Sequence, residues 1–201
     1  MKKISVVLFD LGNVLVHVDL DAFWKELGLH EPAQRKQYEN AYRAAYLDFE
    51  MGAITTDSFL DQLEQGAKGN FTREQLRKAF LSIIRQPVEG MESIVKRVGN
   101  LCQTALVSNT NELHYNYSLE TVPALKLLHE HFLSFRLKVM KPSHRYYEEI
   151  IRAFNIPSEA ALFIDDVQEN VEGTLAAGMR AHLFTTPSEL EHTLEVMHVL
   201  Q

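Results

Sequence analysis

Six residues scattered along a 201-residue chain could do chemistry together: Asp10, Ser108, Asn109, Lys141, Asp165 and Asp166. Asp10 directly follows the apolar run Ile4–Phe9, Ser108-Asn109 follows Thr104–Val107, and Asp165-Asp166 follows Ala161–Ile164. A single Asp after a strand is ordinarily a capped turn. Three carboxylates at one sheet edge are different, because they repel one another unless a cation sits among them. Hard oxygen ligands suit Mg²⁺. Ser108 and Asn109 offer a hydroxyl and an amide for phosphate oxygens, and Lys141, just before Pro142, offers a positive charge.

The elements that must position these residues can be read from the same runs. Ile4–Phe9, Thr104–Val107 and Ala161–Ile164 are β-rich and lack clean alternation, as strands buried on both faces of a parallel sheet do. Ala181–Phe184 reads as a fourth. In open α/β sheets ligands bind at the carboxyl ends of the strands, so the polar tips point to one shared site.

The long interval between the first two strands far exceeds one crossover helix and reads as helical throughout. Leu20–Leu29 and Glu31–Glu50 carry helical apolar spacing, Thr56 is placed to cap Asp57–Gln65, and Thr72 with Gln75 forms a capping-box pattern. The stripe Leu76, Phe80, Ile83 and Ile84 follows it. Residues 17–85 are therefore assigned to an inserted helical domain, with Gln86-Pro87 marking the return. Residues 1–16 and 86–201 form the core, with helices expected at Val88–Val98, Pro142–Phe154, Val167–Ala177 and Ser188–His198. The expected fold class is α/β: a doubly wound, Rossmann-like parallel sheet carrying a helical insert after strand 1.

The 20 Lys+Arg against 27 Asp+Glu give a formal net charge of −7, which argues against nucleic acid and anionic membrane as partners. Cys102 alone forms no intramolecular disulfide, so a reducing compartment is expected. Ile4–Phe9 is too short for a secretory segment and Asp10 interrupts it, while no stretch reaches the roughly 18 apolar residues of a membrane span. The reading is a cytoplasmic protein using its own N-terminus. A monomer is compatible with it, and nothing calls for a flavin or a nicotinamide.

The ordered set resembles the haloacid-dehalogenase-like (HAD) hydrolase superfamily. Its four motifs fall on Asp10, Ser108, Lys141 and Asp165-Asp166, at gaps of 98, 33 and 24 residues. Phe9–Leu15, Phe49-Glu50-Met51-Gly52 with Ile54, Ser108-Asn109-Thr110-Asn111 with His114, and Met140-Lys141-Pro142 are similar to the α-glucose-1-phosphatase-like subgroup. The resemblance implies a Mg²⁺-dependent phosphatase with a helical cap, acting on a small phosphorylated metabolite such as a sugar phosphate. Asp10 would attack phosphorus and become an aspartyl-phosphate. Asp10, the Gly12 carbonyl and Asp166 would hold Mg²⁺, with Asp165 bound directly or through water. Ser108 and Asn109 would hold phosphate oxygens, and Lys141 would offset charge.

One position departs from that pattern. Phosphatases of this superfamily usually carry a second Asp two residues after the nucleophile, as general acid and base; here Gly12 stands there. A proton shuttle is ordinarily worth about 10²–10⁴ in rate. His17, His114 and Glu50 are the candidates to replace it, although an isolated His is more often structural. Good leaving groups, such as an anomeric sugar hydroxyl, would suffer least from the loss.

Two rival readings follow. A metal-independent 2-haloacid dehalogenase would use Asp10 with an arginine from the insert, Arg35 or Arg43; the pair Asp165-Asp166 speaks against it. A catalytically silent fold-mate that binds a phosphometabolite or a partner protein is supported by Gly12 alone. Trp24, Tyr38, Tyr42, Tyr46 and Phe49 could stack on a sugar, but most recur at helical spacing and read as core of the insert.

Overall fold

Val6–Phe9 (β1) is buried at all four positions because it is covered on both faces. Val7 and Phe9 enter one apolar core and Val6 and Leu8 the other, the two-residue alternation of a strand dividing itself between two layers. The computed structural model describes residues 3–200. After β1 come a short strand Val16–Val18 (β2), four helices, Asp21–Glu26 (α1), Pro32–Glu50 (α2), Thr56–Ala67 (α3) and Arg73–Leu81 (α4), and the strand Ile84–Pro87 (β3). Helix and strand then alternate through Met91–Gly99 (α5), Gln103–Ser108 (β4), Glu112–Thr121 (α6) and Glu130–Leu133 (β5). Ser134–Leu137 (α7), His144–Phe154 (α8), Ala161–Asp165 (β6), Gln168–Ala176 (α9), Arg180–Leu183 (β7) and Pro187–Val196 (α10) complete the chain.

Five strands form one sheet in the order β5-β4-β1-β6-β7, and every neighbouring pair is parallel. This is the expected α/β architecture. The three strands with polar tips are the central ones. Phe9 pairs with Leu106 on one side and Ile164 on the other, so one residue further on Asp10 lies between Val107 and Asp165. Register alone brings residues 97 and 155 positions further along the chain to either side of Asp10 at one edge.

Four helices between β2 and β3 bury a core of their own, built on Phe23, Trp24, Phe49, Phe59 and Phe80. The Phe49 and Phe59 rings stack with centroids 4.5 Å apart. Thr72 and Gln75 make the reciprocal capping box at the start of α4: the Thr72 N–H donates to Gln75 Oε1 at 2.8 Å, and the Gln75 N–H to Thr72 Oγ1 at 3.3 Å. Such a cap contributes about 1 kcal/mol.

Helix α3 corrects an expectation by one residue. Thr55, extended at φ −80° and ψ 165°, caps it by accepting from the Ser58 N–H, whereas Thr56 is already helical. The Thr56 hydroxyl donates instead to Glu112 of α6. The interval between the first two sheet strands is also not helical throughout. Val16–Val18 and Ile84–Pro87 pair antiparallel as a two-stranded ribbon where the chain leaves and re-enters the sheet layer. Ile83 and Ile84 therefore leave the helical stripe. Both strands are too short for a periodicity to show, and β-branched Val16, Val18 and Ile84 favour them. Pro142 does not start a helix either, since α8 begins at His144. Among the described residues no helix is long and apolar enough to cross a membrane.

Candidate active site

Lys141, in the loop between α7 and α8, sends its ammonium under the sheet edge with its side chain only 2% exposed. Its Nζ donates to Asp10 Oδ1 at 2.7 Å, Asp165 Oδ2 at 2.7 Å and the Val107 carbonyl at 3.1 Å. All three central strands are thus tied at one point. Its backbone is fixed as firmly. The Lys141 N–H donates to Asn109 Oδ1 at 2.8 Å, and Asn109 Nδ2 donates to the Lys141 carbonyl at 3.0 Å. The Asn109 amide is therefore committed to holding Lys141, and what Asn109 can turn toward an oxyanion is its main chain.

Asp165 is fully buried, and both its oxygens are occupied. Oδ1 accepts from the Val167 N–H at 2.8 Å, and Asn170 Nδ2 lies 3.0 Å from Oδ1 and 3.1 Å from Oδ2. Asp166 is half-buried and faces the cavity, with Oδ2 accepting from Asn13 Nδ2 at 3.1 Å. Asn13 sits in the left-handed region at φ 53°, which Asn tolerates better than most residues. That turn lets its side chain reach Asp166 with Nδ2 while Oδ1 accepts from the Val18 N–H at 3.1 Å.

Carboxylate oxygens of Asp10, Asp165 and Asp166 lie within 4.8 Å of one another. Burial pushes the Asp10 carboxyl up to about 7; Lys141 pulls it down and Asp165 pushes it further up. Lys141 is held above its ordinary value, since Asp10 and Asp165 together outweigh its burial. Three carboxylates against one ammonium leave two negative charges without a counter-charge, so the donor set fits a divalent, oxygen-seeking cation.

These groups open into a cavity of about 380 Å³, which Gly12, Ser108, Asn109 and Thr110 also line. Its other wall comes from the helical layer and the ribbon: Tyr46, Glu50, Val18, Ile83 and Ile84. Glu50 is buried, and that burial pushes its carboxyl up to about 7, with the Tyr46 hydroxyl and Lys141 pulling down and Asp10 pushing up.

The two histidine candidates fare differently from Glu50. His17 is exposed on β2 and does not line the cavity. His114 does line it, but both its ring nitrogens are engaged: Nε2 donates to the Phe80 carbonyl at 2.9 Å, and Nδ1 accepts from Asn111 Nδ2 at 3.2 Å. Burial lowers it to about 4, and its ring stacks on Phe80 at 4.0 Å. His114 is a neutral clasp between α6 and α4. Neither insert arginine reaches the cavity. Arg35 is bound to Asp21 and to the carbonyls of Leu29 and His30, and Arg43 is exposed on α2. Of the aromatic candidates only Tyr46 lines the cavity, while Trp24, Tyr38, Tyr42 and Phe49 pack in the helical core.

Sequence reasoning missed three supports. Asn170 lies one helical turn beyond Asp166, a spacing that could have marked it as a partner for the acidic pair. Tyr146 donates to the Ser108 carbonyl at 3.1 Å. Ser134, buried at the start of α7, carried no sequence signal at all.

A family model described as haloacid dehalogenase-like hydrolase matches residues 4–178. The chain is 28% identical over 191 residues to phosphatase MT3486 of Mycobacterium tuberculosis, covering 90% of this chain and 87% of that protein. It is 22% identical over 206 residues to drimenol cyclase drtB of Aspergillus calidoustus, covering 95% of this chain but only 36% of the cyclase, so it spans about a third of that protein's length. Among solved structures it superimposes on a HAD family enzyme, bt-2542 of Bacteroides thetaiotaomicron, with a TM-score of 0.85 at 19% identity, covering 96% of this chain and 99% of the other. A structure of that enzyme in complex with magnesium and inorganic phosphate gives a TM-score of 0.82, covering 94% and 98% of the two chains.

Proposed function

The chain belongs to the haloacid dehalogenase-like hydrolases, and from that premise we propose that it is a Mg²⁺-dependent phosphatase of a small phosphorylated metabolite, a sugar phosphate in this reading. One observation carries the proposal: Asp10 stands at the central strand tip, 2.7 Å from Lys141 and beside Asp165 and Asp166, at the floor of a cavity large enough for a monosaccharide phosphate. The similarity to phosphatase MT3486 supports the same reaction class. The magnesium and phosphate bound by bt-2542 support the choice of ion and ligand.

In this reading Asp10 Oδ2 attacks phosphorus, because Oδ1 is held by Lys141. The bond from phosphorus to the leaving oxygen breaks, and water later releases phosphate from the Asp10 carboxyl. Lys141 opposes the effect of burial by favouring the ionised form of Asp10, and it holds the carboxylate in place. Ser108 and the main chain of Asn109 hold the phosphoryl oxygens. Asp10, the Gly12 carbonyl and Asp166 would hold Mg²⁺, and Asp165, turned toward Lys141 and Asn170, would act behind them or through water. The ion would supply positive charge for the phosphoryl oxygens and screen them from Asp10. Residues 17–85 serve as a cap over this centre, and the enzyme works in the cytoplasm.

A panel of sugar and aryl phosphates assayed with Mg²⁺ and with EDTA, beside 2-chloropropionate, tests the proposal. Phosphate release that needs Mg²⁺, with no chloride released, is the expected result. Chloride release that survives EDTA would establish the dehalogenase instead. No phosphate from any ester would favour the silent fold-mate.

A further inference from the structure

We propose that Glu50, from the helical layer, does the proton transfer that Gly12 cannot: it protonates the departing oxygen and then deprotonates the attacking water. The proposal rests on the phosphatase reading above and goes beyond it by naming the acid and base.

Gly12 has no side chain to offer, and Val18 packs against the space one would take. A Cβ built on Gly12 would lie 3.2 Å from Val18 Cγ2. A proton donor must therefore enter from another wall. Apart from Asp10 and Asp166, the carboxyls lining the cavity are Glu50 and Glu169. Glu169 is exposed on α9, at the solvent side of the cavity rather than buried in its walls. Glu50 is buried and faces Asp10 and Lys141 across the cavity, with the Tyr46 hydroxyl as its hydrogen-bond neighbour. Its carboxyl is pushed up to about 7, mainly by burial, so at neutral pH it can both give and take a proton.

The helical layer is also pinned to the sheet layer at this residue. Ser134 Oγ lies 2.7 Å from the Glu50 carbonyl, and it meets both the N–H and the carbonyl of Thr110 at 2.9 Å. Two residues on, Lys138 Nζ donates to the Gly52 carbonyl. Gly52 has φ +63°, and a Cβ there would collide with the Phe135 carbonyl, so the helix end can approach α7 only as glycine. These contacts fix the end of α2 against the loop that follows β4. The acid and the nucleophile come from different layers but share one rigid frame.

The steps balance. As Asp10 bonds to phosphorus, the phosphorus–oxygen bond to the leaving group breaks, its electron pair stays on that oxygen, and the Glu50 proton goes to it. Glu50, now a carboxylate, takes a proton from water as the water oxygen bonds to phosphorus. The bond between Asp10 and phosphorus breaks, phosphate leaves, and Glu50 is neutral again.

The test compares leaving groups in the full-length protein with Mg²⁺. In Glu50→Gln, kcat/KM for glucose 6-phosphate should fall about 10²-fold or more. For 4-nitrophenyl phosphate, whose leaving group needs no proton, it should fall at least tenfold less. The kcat values should drop on both esters, because both share the Asp10 phosphoenzyme and its hydrolysis needs the same base. Glu50→Asp, which keeps a carboxyl, should hold the ratio between the two esters close to that of the wild type, and it serves as the reading if the glutamine variant does not fold. An equal fall in kcat/KM on both esters, no fall on either, or a ratio in Glu50→Asp as skewed as in Glu50→Gln would overturn the proposal. A wild-type protein that releases phosphate from neither of these esters nor from any other in the panel would end the phosphatase reading, and this proposal with it.

Discussion

On the sheet side of the cavity Lys141 holds both Asp10 and Asp165 at 2.7 Å, and Asn13 holds Asp166 at 3.1 Å. On the helical side Glu50 has the Tyr46 hydroxyl as its near partner and, among the described residues, no ion pair. Both walls bury carboxyl groups, yet only on the sheet side does an ammonium stand among them. A buried charge that loses its partner costs several kcal/mol, whereas a buried carboxyl without a cation avoids the cost by keeping its proton. The sheet side is therefore built around the fixed charge of Lys141, while Glu50 on the helical side is suited to a mobile proton. Removing a charged group from one wall and from the other should shift stability in opposite directions.

The largest effect is expected at Lys141. Lys141→Met leaves Asp10 and Asp165 buried against each other and should cost about 3–5 kcal/mol of stability, read by urea unfolding in EDTA. Phosphate release should fall on the order of 10²–10³-fold. A variant as stable as the wild type would mean that the two carboxylates are not ionised together in the folded protein.

Glu50→Gln should act the other way. The carboxyl sits at about 7 when folded against an ordinary 4.5, because of burial first, with Asp10 adding to it and Tyr46 and Lys141 opposing. The folded state thus holds a proton that the unfolded chain releases. This group's contribution is fully present below about pH 4.5 and is lost as pH rises through about 7. The glutamine variant should match the wild type near pH 4 and exceed it at pH 8 by up to about 3 kcal/mol. Thermal melts in EDTA across that range would show it, and a gain confined to acid pH would contradict the burial argument.

Asn170→Ala tests the support behind the metal centre and should have the smallest effect. Asp165 loses both its Asn170 contacts, and the Mg²⁺ concentration giving half-maximal activity should rise about 10–100-fold. An unchanged Mg²⁺ dependence would place Asp165 outside the binding of the ion.

The same contrast explains what could be read before the structure. Asp10, Ser108 and Asp165 follow buried apolar runs, and parallel register turns such runs into a shared edge, so the sheet wall was legible residue by residue. Lys141 was legible as a charge in motif order, but its grip on three strand ends was not. The helical wall was harder. A Glu at the end of a helix is ordinarily exposed, and only the Phe-Glu-x-Gly wording marked Glu50; its burial depends on Ser134 and Gly52 meeting across two layers. His114 was a fair candidate by position and became a clasp, because the Phe80 carbonyl lies where its Nε2 points. The strands β2, β3 and β5 are three or four residues long, too short for any periodicity to register.

The central claim is that a phosphoryl group rests on Asp10 during turnover. Rapid acid quenching of the enzyme with ³²P-labelled substrate and Mg²⁺, followed by peptide mapping, tests it directly. Label on the peptide that carries Asp10, lost in Asp10→Asn together with turnover, is the predicted result. Steady phosphate release with no label on that peptide, or label that persists in Asp10→Asn, would contradict it.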